Sequence, residues 1–157
     1  MSKFQLKNFF KAAYDLMLVF LQFFIISLHF FQWEFLPQKQ IIQASPFSYF
    51  LGILIIIIAF IIMLVSIKDL GRNLSPFPRP INNSNLVTTG IYRFTRHPMY
   101  YSLIFISLGV FITKLSIYYL FLSTSLILII KFKIALEEQY LKNKYKNYLL
   151  YKNEVKY

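Results

Sequence analysis

The chain has no cysteine, only two histidines, six acidic residues and four glycines among 157 residues. Without cysteine there can be no disulfide, thiolate metal site or cysteine nucleophile. His29 and His97 alone leave little from which to build a metal centre, so no metal is expected. The few glycines form neither a phosphate-binding loop nor a dinucleotide fingerprint, and there is no serine-hydrolase elbow. The six carboxylates face 17 lysines and arginines, leaving a net charge of +11.

Apolar residues make up 57% of the sequence against 15% charged, and the mean hydropathy is +0.54. A soluble domain of this length cannot bury so much apolar surface, so lipid is the expected solvent for most of it. The cations lie between and after long apolar runs, which favours anionic lipid headgroups over nucleic acid as their partner. Four apolar segments are read: Ala12–Leu36, Phe47–Ile67, Pro98–Thr113 and Leu115–Phe132. The first is too long for the apolar core of a signal peptide and has no small-x-small cleavage site, so it reads as a retained membrane helix. The third is short for a span and almost abuts the fourth, which predicts a tight helical hairpin.

Charge tests this layout. The N-terminal arm, the Lys68–His97 loop and the segment from Lys131 to the end carry fifteen of the 17 cations; the other two loops carry only Lys39 and Lys114. That alternation suits four spans with both termini and the long middle loop in the cytoplasm. The expected fold is therefore all-α, a polytopic membrane bundle of about four transmembrane helices. It includes the hairpin and a C-terminal amphipathic helix, in which Tyr140, Leu141, Tyr145, Tyr148 and Tyr151 recur at helical spacing. His29 and Trp33, near the outer end of the first segment, read as interfacial residues.

The middle loop is too rich in proline and glycine for a continuous helix and longer than a bare connection needs. It ends in Thr88-Thr89-Gly90-Ile91-Tyr92-Arg93-Phe94-Thr95-Arg96-His97-Pro98-Met99-Tyr100. Gly90 suits a turn of unusual backbone angle. Pro98 suits the first position of a helix, placing His97 and Arg96 at a helix N-terminus that favours an anionic group. Tyr92 and Tyr100 add flat faces for stacking. Lys133 and Glu137 are four residues apart on the fourth segment, beside Glu138, at the same end of the hairpin. Read blandly, the arginines snorkel to headgroups, the tyrosines form an interfacial belt and Lys133–Glu137 is a surface ion pair.

The string Leu86-Val87-Thr88-Thr89-Gly90-x-Tyr92, then Arg96-His97-Pro98-x-Tyr100, Glu137-Glu138-x-x-Leu141 and Tyr148-x-x-Tyr151, resembles the isoprenylcysteine carboxyl methyltransferase and phospholipid methyltransferase superfamily. Its members are integral membrane enzymes that use S-adenosylmethionine. The resemblance covers about Leu70 to Val155, and it makes 1–157 one domain: two N-terminal membrane helices over 1–69, then cofactor loop, hairpin and C-terminal helix over 70–157. It implies cofactor contacts from Leu86, Val87, Tyr92, His97, Pro98, Met99, Tyr100 and Glu137. Arg96 would serve the cofactor carboxylate, and Lys133 would face the polar head of a lipophilic or small-molecule methyl acceptor. Lys133 stands where the carboxyl methyltransferases carry a substrate arginine, and it lacks the bidentate fork, which leaves a carboxylate acceptor open to question. Ser102 and Lys146 stand where glycines are common, and the tail spacing is one residue short. A membrane NADPH-dependent reductase of the sterol reductase type and a lipid-binding scaffold are the competing expectations.

Overall fold

The computed structural model describes residues 3–31 and 39–156. Trp33 and the expected end of the first segment at Leu36 lie outside the described residues. Five α-helices follow one another: α1 Lys3–Phe30, α2 Pro46–Leu70, α3 Pro98–Lys114, α4 Ile117–Lys144 and α5 Tyr148–Glu154, with 3-10 turns at Gly71–Asn73 and Gly90–Arg93. No strand forms among the described residues. Phe9–Phe30, Pro46–Asn73 and Ile117–Lys144 are long and apolar enough to cross a membrane. The 17 residues of α3 rise only about 26 Å, just short of a typical ~30 Å hydrocarbon core.

Small residues set how α2 and α3 pack. The buried positions of α2 are Gly52, Ala59 and Ser66, seven apart and so on one face. Gly52 lies against Gly109 and Thr113 so closely that an added Cβ would stand 2.7 Å from the Gly109 carbonyl oxygen. In lipid, where no hydrophobic force drives helices together, such close backbone approach is the main source of packing attraction. The rest of α2, from Ile53 and Leu54 to Leu64 and Val65, exposes large apolar side chains. That surface would be prohibitive in water and costs nothing against acyl chains.

The hairpin turns at Leu115, which takes a left-handed conformation (φ 45°), and Ser116 caps α4 by accepting from the Tyr118 amide. Ser107 and Ser123 join the two helices through their hydroxyls at 2.8 Å. Helix α1 then lies on this hairpin. Ile25 joins Tyr100, Tyr119, Leu122, Leu126 and Ile130 in the main core, and His29 Nε2 meets Ser107 Oγ at 2.8 Å. His29 thus ties α1 to the hairpin as well as standing near its outer end. At that end the α1–α2 connection pairs with the hairpin turn, the Ile41 amide donating to the Leu115 carbonyl (2.7 Å) and the Ile117 amide to the Lys39 carbonyl (3.2 Å).

The C-terminal amphipathic segment is split in two. Helix α4 runs on to Lys144, the chain bends at Tyr145–Asn147, and α5 folds back. Its Tyr148, Tyr151 and Val155 are buried against Leu86, Leu141 and Tyr145, while Leu149 and Leu150 stay exposed.

Candidate active site

The end of the bundle opposite the hairpin turn holds a cleft. Its parts are brought together by three local devices. The first is the turn Gly90–Arg93. Gly90 has φ +62°, and a Cβ there would stand 2.0 Å from Asp69 Oδ2, the oxygen that accepts the Ile91 amide at 2.8 Å. Only glycine lets the loop come so close to the end of α2. The second is Pro98, which opens α3 at its first position with no side chain bonded to the first-turn amides. The third is the docking of α5. The Tyr151 hydroxyl donates to the Tyr92 carbonyl at 2.6 Å, and the Tyr145 hydroxyl meets Ser84 Oγ at 2.7 Å.

The resulting cleft is open at its mouth, and the empty space within and in front of it amounts to about 740 Å³. Leu86, Val87, Tyr92, Arg96, His97, Met99, Tyr100 and Glu137 all line it. Pro98 and Lys133 do not. Pro98 is buried at the start of α3 and acts through the backbone it fixes. Lys133 is 1% exposed, its ammonium donating to Gln22 Oε1 and, at 2.9 Å, to the Pro76 carbonyl. It also lies 5.3 Å from the centre of the Tyr100 ring, on the cleft's inner wall. A lining surface that motif reading passed over comes from Ser75, Phe77, Pro78, Arg79 and Pro80. The chain bends through residues 76–79, and the three alternating prolines are the sequence signal for such a stiff, non-helical wall.

The adjacent glutamates do different work. Glu138 is an ion-pair hub. Its Oε1 lies 2.9 Å from Arg96 Nη2 and 3.4 Å from His97 Nε2, and its Oε2 2.5 Å from Lys152 Nζ on α5. Arg96 also donates to the Val155 carbonyl, so one cation closes the tail onto the loop. Glu137, rotated ~100° around the helix, faces the cleft with the Tyr100 hydroxyl as its hydrogen-bonding neighbour and His97 and Lys133 within electrostatic reach. His97 itself is 4% exposed and stacks on Tyr100 with ring centres 5.9 Å apart.

Burial raises the tyrosines of this end above their ordinary range. It pushes Tyr151 up to about 12, and it raises Tyr92 and Tyr148, with Glu137 and Glu138 respectively adding to the effect. All three stay neutral and can donate. Tyr151 does so to Tyr92. The buried Tyr148 hydroxyl feels the Glu138 carboxylate but has no partner in hydrogen-bond geometry among the described residues. An orphaned donor on a cleft-lining side chain is what a polar ligand would satisfy. The donor set as a whole has aromatic faces, one carboxylate, open helix amides and hydroxyls. It fits a small molecule with a flat ring and charges of both signs. Among the described residues no group of three or more metal-ligating side chains converges.

Comparison with known proteins finds no match among curated proteins or solved structures. Residues 47–148, from α2 through the cleft to Tyr148, match one family, whose members are phospholipid methyltransferases. The match takes in the loop, the hairpin and both glutamates, and covers well over half the sequence: the chain belongs to the phospholipid methyltransferase family and is a membrane methyltransferase.

Proposed function

We propose that the protein transfers a methyl group from S-adenosylmethionine to the head of a lipid that reaches the cleft from the bilayer. The observation that carries this reading is the convergence of the loop motif and Glu137 on one cleft in a chain of this family. When bound, S-adenosylmethionine supplies a methyl group made electrophilic by its sulfonium, and the acceptor's lone pair takes it with release of the thioether. The protein's task is to bind, align and exclude water.

Leu86, Val87 and Met99 would hold the apolar parts of the cofactor, with Tyr92 or Tyr100 packed on its adenine. Glu137 would take its ammonium or ribose hydroxyls. The open amides of α3, with His97 and Arg96, would take its carboxylate, Arg96 being already oriented by Glu138. Tyr148 supplies a further donor. Lys133 would act from behind the Tyr100 ring. The alternation of cations between loops supports both termini and the cleft lying in the cytoplasm, where a soluble methyl donor is at hand.

Calorimetric titration of the detergent-solubilised protein with S-adenosylhomocysteine tests the assignment. Wild type should bind, and Glu137→Ala and His97→Ala should each weaken binding by at least about tenfold, as loss of a hydrogen-bonded charge does. Unchanged affinity in both variants would refute the site. Thermal stabilisation by NADPH in place of the methyl-donor product would point to a reductase.

A further inference from the structure

Two of the residues that hold the proline-rich wall, Asp15 and Gln22, come from a part of the chain outside the family match. Pro76, Pro78 and Pro80 lack amide protons, so Ser75–Pro80 cannot secure itself with a ladder of backbone bonds. Among the described residues, two polar junctions tie this wall to the helices. In one, Asp15 of α1 accepts from the Tyr140 hydroxyl (3.3 Å) and pairs with Arg79 at 3.1 Å. In the other, Lys133 of α4 joins Gln22 of α1 to the Pro76 carbonyl. Each junction is three-way: one residue from α1, one from α4 and one from the wall.

The spacing is concerted. Asp15 and Gln22 are seven residues apart on one face of α1, and Tyr140 and Lys133 are seven apart on α4, which runs the other way. The level between the two junctions is that of Glu137. Asp15 and Gln22 are 3% and 6% exposed. In a membrane helix a buried carboxylate and amide are costly and are kept where they have work to do. Arg79, the partner of Asp15, itself lines the cleft, and Lys133 lies against the ring of Tyr100, which also lines it.

We infer that α1 is part of the active site: Asp15 and Gln22 are positioning residues that hold the proline-rich wall over the cofactor cleft, Asp15 through Arg79 and Gln22 through Lys133. This rests on the methyl-donor reading above. It gives Lys133 a role without direct contact with the acceptor. Its ammonium is a pin between helix, wall and aromatic floor.

The test uses the full chain in detergent, with S-adenosylhomocysteine affinity and the unliganded melting temperature read side by side. Asp15→Asn and Gln22→Leu should each weaken binding by at least about tenfold (~1.4 kcal/mol) while melting within a few degrees of wild type. Gln22→Glu keeps an acceptor opposite Lys133 and should bind as wild type does. Adding Asp15→Asn to Arg79→Ala should weaken binding no further than Arg79→Ala alone, because both changes cut the same tie. Should Asp15→Asn fail to fold, the Gln22 pair decides the matter. Wild-type affinity in Asp15→Asn and Gln22→Leu would overturn the inference. So would a Gln22→Glu variant as weak as Gln22→Leu with a parallel fall in melting temperature, the mark of a purely structural contact. A wild-type chain that binds no S-adenosylhomocysteine overturns the methyl-donor reading and this inference with it.

Discussion

At the scale of single residues, neighbouring side chains of the same type part company. Glu137 and Glu138 are a pair in the sequence, yet one faces the cleft and the other is consumed by Arg96, His97 and Lys152. The resemblance singled out Glu137, but the ion pairs of Glu138 were not legible, because they depend on where α5 brings Lys152. Lys133 teaches the same lesson. Its spacing to Glu137 suggested a helix-face ion pair, whereas its hydrogen-bond partner on α1 lies 111 residues away. The orphaned hydroxyl of Tyr148 gives a residue-scale prediction. Tyr148→Phe removes a buried donor with no partner in hydrogen-bond geometry among the described residues, so stability should change by less than ~0.5 kcal/mol or rise. The same variant should bind S-adenosylhomocysteine more weakly than wild type. Melting curves and calorimetry on one preparation separate the two effects.

At the scale of elements, local chemistry was readable and long-range partnering was not. Pro98 opens α3 and Gly90 takes a positive φ, as their sequence contexts imply. The α2–α3 contact was invisible because α2 reads as uniformly apolar, and only the placement of Gly52 against Gly109 gives it a direction. Gly109→Val should therefore split this pair. Its Cβ would meet Ile56 Cγ1 at 2.6 Å and the Gly52 carbonyl oxygen at 2.9 Å, a rigid obstacle. The expected loss is about 1–3 kcal/mol, read as a lower melting temperature in detergent. Helix α5 supplies a pH prediction. Tyr151 is raised to about 12 by burial, against an ordinary value of ~10 in the unfolded chain. The folded state thus keeps the proton longer. Its stability should be level below pH ~10 and fall as pH climbs towards 12, when burying a tyrosinate becomes unfavourable. Tyr151→Phe should shrink that alkaline fall, followed by melting temperature at stepped pH.

At the scale of the whole molecule, the all-helical membrane bundle and its hairpin were legible because hydropathy and charge alternate along the chain. The sequence did not disclose the order of packing. Helix α1 settles on the hairpin of α3 and α4 and has little contact with its sequence neighbour α2. That arrangement has a consequence for biosynthesis. Asp15 and Gln22 emerge from the ribosome long before their partners on α4, which lie 125 and 111 residues downstream. The first helix must wait in the bilayer, its polar side chains unpaired, until α4 has been inserted. Domains whose contacts join distant segments assemble late. A nascent chain therefore has no finished cleft until α4 and α5 have been made, and a product truncated before them would carry the loop motif without being able to close it into a site.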